Sequence, residues 1–365
     1  MKMFKLLENY DIVGDIKFVT PYGNGHINKT YLVATDRERY ILQQINTHVF
    51  KKPKQVLHNI ELVTEQIRIS SELVGKDVSR AALRLVHTIS GKSYVKVDKE
   101  FWRLYVFIAD AKSYETVEHA HQMYEVGKAV GIFQKQLHGF PVYRLKTTIP
   151  NFHNTPVRYD RFQKVLMKDP ERRAFEVYNE IKFVQDRVKK MSILMDLLNS
   201  KKVPVRVTHN DTKLNNVMFD NESNKAICMV DLDTVMPGTV LFDFGDAIRI
   251  GASTAAEDEK DLSKVGVELE YFKEFTRGFL KHTNGILVKD EIDNLVNSAI
   301  VITLECGMRF LTDHIDGDKY FGIKYPNHNL DRARTQFKMV EEMEKKYEDM
   351  IHIVKDACIE YDIKF

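Results

Sequence analysis

Cysteine is nearly absent from this chain: three thiols in 365 residues, at positions 228, 306 and 358. That excludes a disulfide-stapled scaffold and a cysteine-based zinc centre. Cys228 and Cys306 fall in apolar stretches, so reduced core thiols are expected. Excess charge of either sign is missing too, with 54 basic side chains against 52 acidic ones. Without a basic stripe, nucleic acid is not an expected partner. There is no apolar run of membrane-spanning length, and MKMFKLLENYDIVGD meets charge too early to supply a secretory h-region. A cytoplasmic location with no membrane partner is the expectation. Repeats and low-complexity linkers are also lacking. What remains, 44% hydrophobic and 29% charged residues, is ordinary for a globular protein and long enough for two packed lobes. A monomer is expected.

The stretch VTHNDTKLNNVMFD, Val207 to Asp220, followed by AICMVDLDT, carries the chemistry. It sets a carboxylate at Asp211, an amide at Asn216 and a second carboxylate at Asp231. This is the H-x-D-x-x-x-x-N spacing of phosphoryl-transfer loops, with a metal-binding Asp downstream. Transfer of a γ-phosphoryl group asks for an acceptor of the hydroxyl proton and for metal ligands that neutralise phosphate charge. Asp211 fits the first role. Asn216 and Asp231 fit the second, as hard oxygen donors for Mg2+. VMF, the turn-rich DNESNK and AICMV read as a hairpin. If Asp220 pairs with Lys225, position 216 falls opposite 229, so Asn216 and Asp231 emerge at the same open end. A decorative hairpin has no reason to place HND just upstream and DLD at its end. Asp233 reads equally well as a metal ligand or as a group that orients the loop, and ranks below Asp231.

Upstream lie three strand-like runs, IKFVTPY, TYLVATD and RYILQQIN, and then a helix from about Lys54 to Ser70. RLVHTISGKSYVKV reads as a hairpin, FWRLYVFI as a strand, and the patternless ADAKSYE as a hinge. The expected fold class is α+β: a small antiparallel β lobe with one helix (1–108), a hinge (109–113) and a larger, mostly helical lobe (114–365). In PYGNGHIN, Gly23 and Gly25 flank Asn24 between the first two strands and would let backbone N–H groups approach phosphates. A hairpin turn explains the same G-x-G equally well. His26 follows directly.

A glycine loop between two strands, a helix after the third, a hinge, and HND…N…DLD in a helical lobe resemble the protein-kinase-like fold. Within it, the chain is similar to the aminoglycoside phosphotransferase and choline kinase family. VGKAVGIFQKQLHGF resembles the helix that precedes that family's catalytic loop. More narrowly, HNDTKLNNVMFD, VDLDTVMPGTVLFDFGDAIR and ECGMRFLTDHIDGDKYFGIKY resemble bacterial N-acetylhexosamine 1-kinases. That resemblance implies ATP and Mg2+ as cofactors. It also implies transfer to the anomeric hydroxyl of N-acetylglucosamine or N-acetylgalactosamine, giving the α-1-phosphate. Asp211 would take the C1 hydroxyl proton, and Asn216 and Asp231 would hold magnesium. Gly23, Asn24, Gly25, Gln43 and Glu65 would serve the nucleotide. His26, Asp246, Arg309 and Tyr320 would face the sugar.

The third strand departs from the protein-kinase pattern, with Gln43 or Gln44 where a lysine is expected. Glu65 on the next helix could partner a glutamine, but the positive charge is missing. The DFG string, Asp243 to Gly245, is not read as the metal site. Asp243 lies 32 residues beyond Asp211, against 20 for Asp231, so a structural or substrate-orienting role is assigned to it. Arg309 sits in the helical pattern IVITLECGMRFL, where an arginine snorkelling to solvent competes with a substrate contact. Two alternatives stay open. One is a kinase of another small hydroxyl acceptor, such as an aminoglycoside, choline or homoserine; the other is a nucleotide-binding pseudokinase scaffold.

Overall fold

The computed structural model describes residues 2–23, 27–75 and 77–364. They fall into two compact units: Met1–Lys112 with Gly139–Ile149 and Met218–Pro237, and Ser113–His138 with Pro150–Val217 and Gly238–Phe365.

The first unit is built on β1 (Ile16–Pro21), β2 (Lys29–Thr35), β3 (Arg39–Ile45), β4 (Leu85–Val86), β5 (Val95–Val97) and β6 (Glu100–Val106). These antiparallel strands run in the order β1-β2-β3-β6-β4, and β5 also pairs with β6. The run expected as a hairpin therefore behaves otherwise. Its two short strands both add to β6, through Leu85–Tyr105 and Val95–Trp102, because β6 is long enough to take both on one edge. Within the stretch read as a hinge, Ala111 and Lys112 are strand residues, paired with Asp220 and Phe219.

Strand alternation sorts the polar residues of this sheet. Thr30 lies opposite Gln43, and Gln43 opposite Arg103, so these three share a face. Gln44, opposite Trp102, points the other way, onto the face where Leu6, Leu7 and Tyr10 pack on Val33, Tyr40, Leu42 and Leu104. A helix, α2 (Pro53–Leu73), buries Val56, Leu57, Ile60, Val63 and Ile67, as its period requires, and Pro53 opens it where a missing N–H costs nothing. The same buried stripe includes Asn59, whose amide donates to the carbonyls of Lys146 (2.7 Å) and Val235 (2.8 Å) and accepts from Lys146 N–H. That one side chain ties residues 139–149 and 218–237 to the first unit, although sequence order had grouped them with the helical lobe.

The second unit is mostly helical, and glycines set its closest approaches. In the helix Ala120–Gln136, a Cβ on Gly127 would sit 2.1 Å from the carbonyl of Phe275; reciprocally, one on Gly278 would sit 2.1 Å from that of Tyr124. The helix Leu295–Ile315 forms the centre and packs on Val240–Gly251, Thr155–Lys168 and His328–Lys345. Contrary to the sequence expectation, it is long and apolar enough to cross a membrane by length and composition. It is a core helix: 83% of its apolar window is buried. All three cysteines are free and buried.

Candidate active site

In the second unit, the loop 208–216 is held from behind by one helix. That helix, Val240–Gly251, is capped by Thr239 and contains the whole DFG string. Asp243 is fully buried and accepts N–H groups from His209 (3.0 Å), Asn210 (2.7 Å) and the Gln134 side chain (2.9 Å). Burial pushes its pKa up to about 7, while these donors pull it back. Phe244 packs among Phe272, Phe275 and Phe279, and a Cβ on Gly245 would lie 2.5 Å from the carbonyl of Ser298. Asp246 accepts from Thr212 N–H (2.9 Å) and from Arg249. Burial works against its charge, yet Arg249 beside it holds it below the usual carboxylate range. DFGD is thus a framework for the loop, each member locked by a different neighbour.

The held loop presents Asp211 half-buried. The Asn216 amide nitrogen donates to the Asp211 carbonyl (2.8 Å) and to its Oδ2 (2.9 Å), and Lys213 Nζ stands 3.2 Å from the same oxygen. Oδ2 is therefore fixed and Oδ1 is left to accept a proton. Lys213 was missed in the sequence reading; its signal is a cation two positions beyond the candidate base, where phosphate charge would be met. With its nitrogen committed to Asp211, Asn216 offers a carbonyl oxygen to a cation.

Arg309 and Tyr320 line one pocket, together with Arg158 and Arg161. Arg309 does not simply snorkel to solvent: its guanidinium lies over Phe152 (5.8 Å) and Phe321 (5.4 Å). Burial and the nearby charge of Arg309 lower the pKa of Arg158, whose Nε is buried without a hydrogen-bond partner. Asp313, in the same pocket, is neutralised locally by the N–H groups of residues 319–321. Beneath the pocket Glu305 accepts from Thr155 (2.6 Å) and sits 3.0 Å from His153.

The residues expected to serve the nucleotide belong to the first unit. Gly23 takes φ 72°, with open space where a Cβ would be, so a turn conformation and not crowding calls for glycine. Asn24, Gly25 and His26 lie outside the described residues. Asp231 takes a left-handed φ of 59°, which Asp tolerates better than most residues. The hairpin turn closes as expected, with Asp220 N–H donating to the Lys225 carbonyl (2.9 Å).

Gln43, and not Gln44, is the third-strand residue on the polar face. Its amide oxygen accepts from Arg103 Nε (3.0 Å) and Nη2 (2.8 Å), and its nitrogen donates to Thr30. Glu65 does not partner it. Ile60, Val63 and Ile67 face inward, which turns position 65 outward, and Glu65 is exposed and bonded to Arg68. Arg103, 1% exposed, bonds Asp233 through Nη1, and Asp233 accepts from Asn28 Nδ2 at 2.6 Å on its other oxygen. Burial opposes the Arg103 charge, but Asp233 and Tyr105 hold its pKa above the ordinary arginine value. Both Asp233 oxygens are therefore engaged, which favours the orienting role over metal ligation. Each unit carries one hard oxygen donor of the kind Mg2+ takes, the Asn216 carbonyl in the second and the Asp231 carboxylate in the first.

Residues 19–265 match the Phosphotransferase enzyme family. Among solved structures, the chain is similar to an aminoglycoside phosphotransferase from Alicyclobacillus acidocaldarius (10% identity, 97% of this chain and 96% of that one, TM-score 0.62). It is also similar to a spectinomycin phosphotransferase in complex with ADP and spectinomycin (14%, 98% and 97%, 0.55). A third likeness is to a choline kinase from Streptococcus pneumoniae (13%, 94% and 100%, 0.53). At these identities the structural likenesses establish the fold, the α+β protein-kinase-like architecture expected from the sequence.

Proposed function

Because the chain belongs to the phosphotransferase enzyme family, we propose that it transfers the γ-phosphoryl group of ATP to the anomeric hydroxyl of a free N-acetylhexosamine. The transfer rests on Asp211. Asn216 and Lys213 hold Oδ2, so Oδ1 can accept the C1 hydroxyl proton and aim the oxygen in line with phosphorus. An anomeric hydroxyl is more acidic than an ordinary alcohol, so a carboxylate base suffices. Magnesium, when bound, supplies charge neutralisation at the phosphates; Asn216 and Asp231 are its ligands on the chain spacing given above. Lys213, beside Asp211 in the same loop, would meet phosphate charge.

In this reading Arg309 donates to the N-acetyl carbonyl and Tyr320 to a ring hydroxyl, whereas Asp246, with both oxygens engaged by Thr212 and Arg249, positions the loop and does not touch the sugar. The enzyme acts as a cytoplasmic monomer. The structural likeness to a spectinomycin phosphotransferase and a choline kinase supports a second reading, another small hydroxyl acceptor on the same fold.

One assay separates the two: ADP release across free sugars, their methyl glycosides, choline and aminoglycosides, with the product read by phosphorus NMR. A sugar 1-phosphate from N-acetylglucosamine or N-acetylgalactosamine, and no turnover of the methyl glycoside, is expected. A 6-phosphate, or turnover of the methyl glycoside or of an amine, refutes the anomeric reading.

A further inference from the structure

A kinase lobe without the third-strand lysine must fix its phosphate-side elements by another device. Resting on the phosphotransfer reading above, we propose that the buried Arg103–Asp233 pair is that device: a neutral strut joining the stem of the glycine loop to the segment that carries Asp231. Every link lies within the first unit. Asn46 N–H donates to Asn28 Oδ1 (2.9 Å), and Asn46 Nδ2 to the Ile27 carbonyl (3.2 Å), which pins the chain just after the glycine loop. Asn28 Nδ2 donates to Asp233 Oδ2, Arg103 bonds the other oxygen, and Gln43 and Thr30 complete the run across three strands. Gln43 thus holds an arginine from the neighbouring strand in place of the lysine that its own position lacks. Arg103 also cancels the Asp233 charge, so Asp231, two residues earlier, meets a cation without a second uncompensated carboxylate beside it.

Arg103 and Asp233 are positioning residues, and a charge-removal cycle tests them. The variants are Arg103→Gln, Asp233→Asn and the double variant, with Arg103→Lys in reserve should a single variant fail to fold. Each single variant leaves one buried charge unpaired and is expected to weaken ADP binding about tenfold, with and without magnesium. It should also speed hydrogen exchange at the Asn46 amide. The double variant, neutral and still hydrogen-bonding, should recover to within about threefold of the native protein. Arg103→Lys, which keeps the charge and loses the fork, should fall between. Native affinity and native Asn46 exchange in both single variants overturn the strut, and so do losses that multiply in the double variant. Failure of the native protein to bind ADP would instead refute the phosphotransfer reading, and the exchange measurement, which needs no nucleotide, still decides the strut.

Discussion

Asp243→Asn is the perturbation that best separates scaffold from chemistry, because DFG in a kinase-like chain invites assignment as the metal site. The Asp243 carboxylate accepts one N–H on Oδ1 and two donors on Oδ2. An asparagine keeps one oxygen and turns an NH2 toward at least one buried donor. Leaving one such donor unmet costs about 1–3 kcal/mol, and the amide hydrogens add repulsion, so a loss of about 2–4 kcal/mol in unfolding free energy is expected. That is a large share of a typical domain's stability, yet the protein should remain folded at low temperature. The loop that carries Asp211 loses anchors at His209 and Asn210, so turnover should fall. The magnesium concentration for half-maximal rate should stay within about threefold of the native value, since neither proposed magnesium ligand is changed. Asp231→Asn should instead raise that concentration by about tenfold or more. Denaturant unfolding and magnesium titration of ADP release, run on both variants, read the two effects separately. A larger magnesium shift for Asp243→Asn would refute the scaffold assignment.

Other outcomes follow from named contacts. Asp211→Asn should cut turnover by about 10²-fold or more while ADP affinity, read by calorimetry, stays near native, because the proton acceptor is lost and Lys213, freed of its partner, still faces phosphate charge; near-native turnover removes Asp211 from the base role. Arg309→Ala should raise the KM for N-acetylhexosamine more than that for ATP in steady-state kinetics, and an equal rise in both would end its acceptor role. Gly245→Ala should lower the melting temperature, since overpacking against the Ser298 carbonyl costs about 1–3 kcal/mol and outweighs the helix-propensity gain of about 1 kcal/mol. Asp246 is held below its ordinary pKa of 3.8, so its stabilising contribution is present above that pH and is lost on acidification through its lowered folded value. Arg249→Met removes the main cause of the lowering, so its acid-unfolding midpoint, followed by circular dichroism, should move to higher pH.

The reaction class was legible in the chain because phosphoryl transfer needs few side chains at fixed spacings. Asp211, Asn216 and Asp231 lie within one short stretch of the chain, where spacing can be read directly. The strands of the first sheet and the register of α2 were legible for the same reason, since period and turn chemistry act over a few residues. The sequence also rejected DFG as the metal site by distance alone, but it had no access to the cause. Only the fold turns Asp243 toward the backbone of His209 and Asn210 and sets Gly245 against a helix far along the chain. Likewise, the missing lysine was visible and its replacement was not. Gln43 meets Arg103 across 60 residues because β3 pairs with β6, and Asp233 meets Arg103 across 130. Pairing of that kind is decided by which strands become neighbours, a choice made by burial of the whole sheet and recorded in no local pattern. Glu65 marks the same boundary: its helix was foreseen, but Arg68 and solvent, not Gln43, claimed its carboxylate once the apolar stripe had fixed which way the helix faced.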